Sequence, residues 1–418
     1  MKKSIPLTMA PQSLQSYDCT GCGDCCRGRF AILITPEDKA RIDKQSWTDD
    51  ELGLAGKPLF TRRGSEYQIA HRADGSCIFL DDEGLCKIHA KYGEPAKPVA
   101  CRLYPFRFIP VGDQVRVDVR FDCPATASNN GRPIAQHRAD LLKLVKEALP
   151  DEAWSLEAPS LHGKVAASWD AFAQITSAFE RVLLDISLDL TRRVAAMVNL
   201  VDLIKQVDFS KIAAHELPDF LEEAAAHVTE NAIGDVLERV APIGTESAAF
   251  RQILGVYGRI DQVGEKANPL QRLSTSFRML AGKGSVPGLR PELSNVSFAD
   301  VDKLRTSPTG DSALAIERYL HTHLSSMSFF GPSFYNRAYL DGLSALLLTY
   351  PLTCWFARAY AIAGGQAGID KECAEKALMV VDHQHGVTPM LDIPTERIRM
   401  GMLTERSTLR GLVVWYGS

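Results

Sequence analysis

Eight cysteines within about a hundred positions constrain this chain more than any other feature of it. Cys19, Cys22, Cys25, Cys26, Cys77, Cys86, Cys101 and Cys123 carry the cluster, and only Cys354 and Cys373 lie beyond. Four of the eight crowd the segment "DCTGCGDCCRG" (18–28). Thiols at this density are bridged, metal-bound, reactive or buried. The start "MKKSIPLTMAPQSLQSYD" places Pro6 and Pro11 where an export signal needs an unbroken apolar segment, so the expected location is cytoplasmic. Thiols stay reduced there, which favours metal or redox chemistry over a disulfide frame.

Spacing sharpens this reading. Cys19/Cys22 and Cys22/Cys25 are both Cys-x-x-Cys pairs, a recurrent way for a short loop to place two sulfurs on one zinc ion or iron–sulfur cluster. Gly21 and Gly23 fall between them, where a tight turn benefits from residues that tolerate positive φ. The adjacent Cys25 and Cys26 fit one tetrahedral ion less readily, because neighbouring side chains tend to diverge. One of them is expected to serve a second metal or a reactive position. The other four sit in "CIFLDDEGLCKIH", "PVACRLYPF" and "RFDCP", beside apolar residues that can seal a site from water. Two four-sulfur sites or one multinuclear cluster would use all eight. Cys354 and Cys373 lie in apolar helical settings and read as core residues.

The remaining sequence divides by texture. A length of 418 residues suggests two to three domains, and a formal net charge of -4 gives no sign of a basic nucleic-acid surface. Residues 1–132 read as a cysteine-cluster metal-binding domain with short strands; in "QVRVDVRF", Val115, Val117, Val119 and Phe121 alternate as in a half-buried strand. Residues 133–418 read as a mainly helical domain, with a loop or linker near 282–295. Helices are predicted over Leu217–Val240, Ser247–Val263, Asp311–Met327, Arg337–Ala363, Lys371–His383 and Pro394–Val414. The apolar run Gly342–Ala357 is shorter than the roughly 20 residues of a membrane helix, and predicts a buried helix interrupted near Pro351. The expected fold class is therefore α-rich α+β, without a Rossmann sheet.

The segments "CTGCGDCC", "CIFLDDEGLCKIH" and "KPVACRLYPF", in that order, resemble the CxxCxxCC cysteine-cluster proteins, a zinc- or iron-chelating family. A second stretch, "AIERYLHTHLSSMSFFGPSFYNRAYLDGLSALLLTYPLTCWFARAY" followed by "VVDHQH", resembles the carboxy-terminal helical part of flagellin lysine N-methylases. The resemblance implies a protein-lysine N-methyltransferase with an iron–sulfur cluster, or alternatively zinc, and S-adenosylmethionine as donor. It also implies a lysine-bearing protein substrate, flagellin among the candidates; the charge balance and the short apolar run separately predict neither nucleic acid nor membrane as partner. The Cys-x3-Cys-x2-Cys spacing of radical S-adenosylmethionine enzymes does not occur, and "IAGGQAG" reads as a helix stop.

No residue identifies itself as catalytic. Tyr104 and Asp122 stand beside expected cysteine ligands and read as structural. Asp81, Asp82 and Glu83 read as a solvated turn, and the pair His383/His385 as capping or core groups. His321 and His323, two apart on a helix, face different ways, and His89 is the best substitute ligand. The alternative to an enzyme is a structural zinc or protein-interaction module.

Overall fold

The computed structural model describes residues 7–8, 14–28, 31–149, 157–235, 237–238, 240–259, 269–287 and 290–418. At its centre runs the helix Tyr339–Ala363, apolar on every face and accordingly buried on every face. Around it pack the helices Leu190–Gln206, Gly310–Ser326, Lys371–Gln384 and Arg406–Gly417. Asp189 and Asp370 cap two of these by accepting from Arg192 N and Cys373 N. Near the start of the central helix only glycine fits at position 342: a Cβ there would lie 1.9 Å from the carbonyl oxygen of Phe329.

Three features of the helical part differ from expectation. Pro351 sits inside an uninterrupted helix. It removes a single backbone donor, and the fully buried Leu348 and Leu352 on either side hold the helix together across it. The span Pro394–Val414 is two helices, Pro394–Leu403 and Arg406–Gly417, divided where the Glu405 carboxylate accepts from Ser407 N and Thr408 N. The helices from Leu217 and around Ser247 end at Gly234 and Tyr257, and residues 260–263 lie outside the described ones. By length and composition Tyr339–Ala363 could cross a membrane, because at 25 residues it runs beyond the apolar stretch read from sequence; nearly all of it is covered by the protein itself.

Short strands complete an α-rich α+β fold. The hairpin Phe106–Val111/Gln114–Val119 turns at Gly112 (φ 60°), and Leu7–Thr8 adds to it in parallel. A second hairpin, Phe60–Arg63/Glu66–Ile69, takes Leu33–Ile34 as its third strand. No doubly wound parallel sheet occurs among the described residues. The apolar interior forms two clusters. A small one spans Ile34 to Ile88, while the hairpin of 106–119 buries its side chains in the large one with the helices.

That hairpin explains a further difference. Val115, Val117 and Val119 are buried as the alternation predicts, but Asp118 on the opposite face is buried too. The helix Gly310–Ser326 packs against the strand and covers the face that a half-buried strand would leave to water.

Candidate metal centre

The loop 18–28 is folded by its glycines. Gly21 and Gly23 have φ of 69° and 75°, and a Cβ on Gly23 would stand 2.4 Å from the carbonyl oxygen of Gly84. This close approach brings the loop against the turn that carries Cys77 and Cys86. Gly23 also begins the four-residue helix Asp24–Arg27, on which Cys25 and Cys26 ride. Cys77 N then donates to Cys26 O at 2.8 Å, locking the two segments together. Cys86 starts the helix Lys87–Tyr92, Cys101 lies within Val99–Leu103, and Cys123 starts Pro124–Ala127.

Five of the sulfur-bearing residues, Cys25, Cys26, Cys77, Cys86 and Cys101, line one pocket of about 230 Å³. Its remaining walls are largely apolar, with Ile69, Phe79 and Ile88 among them, and Lys97 and Tyr104 at its edge. The sulfurs of Cys25 and Cys26 are 3.9 Å apart. Two thiolates on one tetrahedral zinc at ~2.3 Å stand about 3.8 Å apart, so the adjacent pair converges instead of diverging as expected. The other three, Cys19, Cys22 and Cys123, do not line this pocket. They lie near one another: burial first, then Cys19, Cys123 and Cys25, push the Tyr17 hydroxyl far up, while Cys22 acts on Cys123. Among the described residues, no three His, Cys, Asp or Glu side chains already stand around a single ion position.

The electrostatics suit a cation. The hydrogen bond to Cys26, followed by burial, pushes the Cys25 thiol far up. At Cys26 the bond from Cys25 favours the thiolate, but Cys77 and burial outweigh it and push the pKa up to about 12. Burial likewise pushes Cys101 up to about 12. Crowded thiols resist ionisation without a nearby positive charge, which a bound metal supplies as it displaces their protons. The donor set therefore fits a thiophilic metal, iron or zinc.

Other candidate residues separate cleanly. His89 is exposed and lies outside the pocket lining. Asp81 Oδ1 accepts from Glu83 N and Leu85 N, so the acidic trio builds a turn. His385 bonds the Tyr257 hydroxyl at 2.8 Å, whereas His383 faces Asp122 at 3.3 Å; the pair points apart. His321 and His323 also diverge, toward Glu180 and Asp118. Tyr104 donates to Asp122 Oδ1 at 2.9 Å.

Asp122 opens a buried charge network that sequence reading missed. Arg120 bridges Asp122 and Asp382 at 2.7 and 3.0 Å, and Arg107 lies 3.4 Å from Asp118. His323 stands between Asp118 and Asp382, 3.2 Å from each. Burial alone would lower its pKa, but the two carboxylates prevail and raise it to about 9. Arg120 and Asp382, like Asp118 and His323, lie more than 200 positions apart, so no local pattern announces the network. The one available signal was charged residues alternating with valines in a strand.

The model of the CxxCxxCC family, described as a "putative zinc- or iron-chelating domain", matches residues 18–126, a span that holds all eight cysteines. No curated protein and no solved structure matches the chain, so the methylase resemblance rests on the residues quoted for it.

Proposed function

We propose that the thiolates of Cys19, Cys22, Cys25, Cys26, Cys77, Cys86, Cys101 and Cys123 bind iron or zinc, and that the metal centre belongs to a protein-lysine N-methyltransferase. The observation that carries the metal reading is the shared pocket: five cysteines from four separate segments face one space among apolar side chains. Soft thiolate donors in such a space select iron–sulfur or zinc over hard cations. An iron–sulfur cluster is the preferred occupant and zinc the alternative.

The methyl-transfer reading is supported by the helical resemblance over 315–385. The chemistry needs a neutral lysine amine, whose free pKa is ~10.4, so a binding site must desolvate it. The amine lone pair would attack the methyl carbon of S-adenosylmethionine, the carbon–sulfonium bond would break with its electrons kept by sulfur, and the amine proton would leave to solvent. Lysine-bearing proteins, flagellin among them, are the proposed acceptors.

A structural zinc clasp is the second reading, favoured by the shortness of the elements involved. Cys25 and Cys26 lie on a four-residue helix, and Cys86 and Cys123 each begin one of six residues or fewer. Helices of this length are marginal alone and gain most from a tether.

Anaerobic purification, metal analysis and mass spectrometry of acceptor proteins test both. Brown protein absorbing near ~400 nm, with lysines gaining mass in ~14 Da steps when S-adenosylmethionine is added, supports the first reading. Stoichiometric zinc without methylation supports the second. Protein that takes up neither metal overturns both.

A further inference from the structure

A cleft of about 720 Å³, distinct from the cysteine pocket, opens between the hairpin of 106–119, the end of the helix Arg138–Ala148 and the turns at 332–333 and 386–387. That volume is typical of small-molecule sites. Its walls are mainly apolar, with Phe108, Ile109, Leu149 and Val387 along them. Two charged side chains, Arg107 and Arg120, break this surface.

The charges are layered. Asp118, Asp382 and Asp122, which pair with the two guanidinium groups, have side-chain exposures of 0, 1 and 5%. Arg107 and Arg120 keep 23 and 13%. The carboxylates thus stand behind and the cations in front. Asp118 and Asp382 are also shared with His323, so neither is devoted to its arginine. Arg107 is paired with Asp118 by charge, Nε to Oδ2 at 3.4 Å, but no hydrogen bond joins them, and no guanidinium nitrogen of Arg107 has a hydrogen-bond partner among the described residues. A guanidinium drawn to a buried carboxylate without being hydrogen-bonded to it keeps its donors for a carboxylate or phosphate.

We propose that this cleft binds a small organic anion, its carboxylate or phosphate head on Arg107 and Arg120 and its apolar body along Phe108, Ile109, Leu149 and Val387. This goes beyond metal binding and methyl transfer and depends on neither. A neutral ligand of the same shape would leave the Arg107 fork unpaired and gain only from apolar burial.

The test uses the full-length, metal-loaded protein and the dye 8-anilinonaphthalene-1-sulfonate, which has one anionic group on an aromatic body. Only dye displaced by octanoate or octyl phosphate counts, since exposed Leu273 and Phe277 elsewhere would bind dye without regard to these arginines. Whichever of the two competes better tells carboxylate from phosphate. Octanol should compete at least about tenfold less well, the loss expected for one missing charge-assisted contact. Arg107→Gln and Val387→Glu should each weaken dye binding by about tenfold or more, while the neutral N-phenyl-1-naphthylamine binds Arg107→Gln as it binds the wild type. Val387 is 45% exposed at the cleft, so its variant folds even if Arg107→Gln does not. Octanol competing as well as octanoate, or dye affinity unchanged in Val387→Glu, would overturn the proposal.

Discussion

Cys25 and Cys26 are neighbours in the chain, yet their sulfurs meet at 3.9 Å and face one pocket with Cys77, Cys86 and Cys101. The short helix that begins at the left-handed Gly23 brings both side chains to the pocket, Cys26 half-buried and Cys25 still exposed. Two donors on successive residues then approach from one side, and the sulfurs of three other segments approach from elsewhere.

Removing a pocket thiol should lower bound metal. Cys26→Ser and Cys101→Ser are expected to lose most of the iron or zinc measured by plasma mass spectrometry. Cys373→Ser should retain it, because Cys373 lies outside the cluster and bonds Gln366. Equal metal content in all three variants would remove the pocket from consideration as a metal site.

Gly23→Ala should act like a ligand mutation without touching a ligand. The new Cβ would face the Gly84 carbonyl at 2.4 Å in a backbone region that L-residues rarely adopt. Relief requires the loop to move away from the turn bearing Cys77 and Cys86. Metal content should fall, while the main thermal transition, which reports on the large helical core, should move little.

Two glycines in helices should behave oppositely. Gly342→Ala drives a Cβ into the Phe329 carbonyl oxygen, and overpacking of this kind costs about 1–3 kcal/mol or more. At Gly411 a Cβ meets nothing within 4 Å, so Gly411→Ala should stabilise the helix by roughly 0.5–1 kcal/mol. Chemical denaturation of both variants checks the contrast.

Stability should peak near pH 6.5. His323 has a folded pKa of about 9 against ~6.5 unfolded, so its contribution is complete below ~6.5 and disappears as pH rises through 9. His321 and His385 go the other way: burial lowers them to about 4 and about 3, so stability falls as pH drops below ~6.5. Asp118, Asp382, Arg107 and Arg120 stand around His323; despite burial, neighbouring cations hold the two carboxyls low and neighbouring carboxylates hold Arg120 high, so these three keep their charge through the neutral range. The interval from pH ~6.5 to ~8 lies below the usual thiol range, and in it the loss at His323 opposes the remaining gain from His321 and His385. Denaturation midpoints should fall across that interval in the wild type and rise slightly in His323→Gln; the same profile in both proteins would show that the imidazole is not held cationic.

Much of this protein was legible in its sequence because the signals were local. Alternating valines placed the strand 114–119, and an unbroken apolar run placed the buried central helix. Thiol density and Cys-x-x-Cys spacing marked the segment that the chelating-domain model spans. These patterns need only a residue and its near neighbours. Tertiary structure decided the rest. It aimed Cys25 and Cys26 together, through contact of the loop with the Gly84 turn. It carried the central helix through Pro351, where packing outweighed one lost hydrogen bond. By laying the helix 310–326 over a strand read as half-exposed, it joined Asp118, His323 and Asp382, which no sequence window contains together. Which face is buried, and which charges meet once it is, depends on segments hundreds of residues apart, and their approach is fixed by packing rather than by local preference.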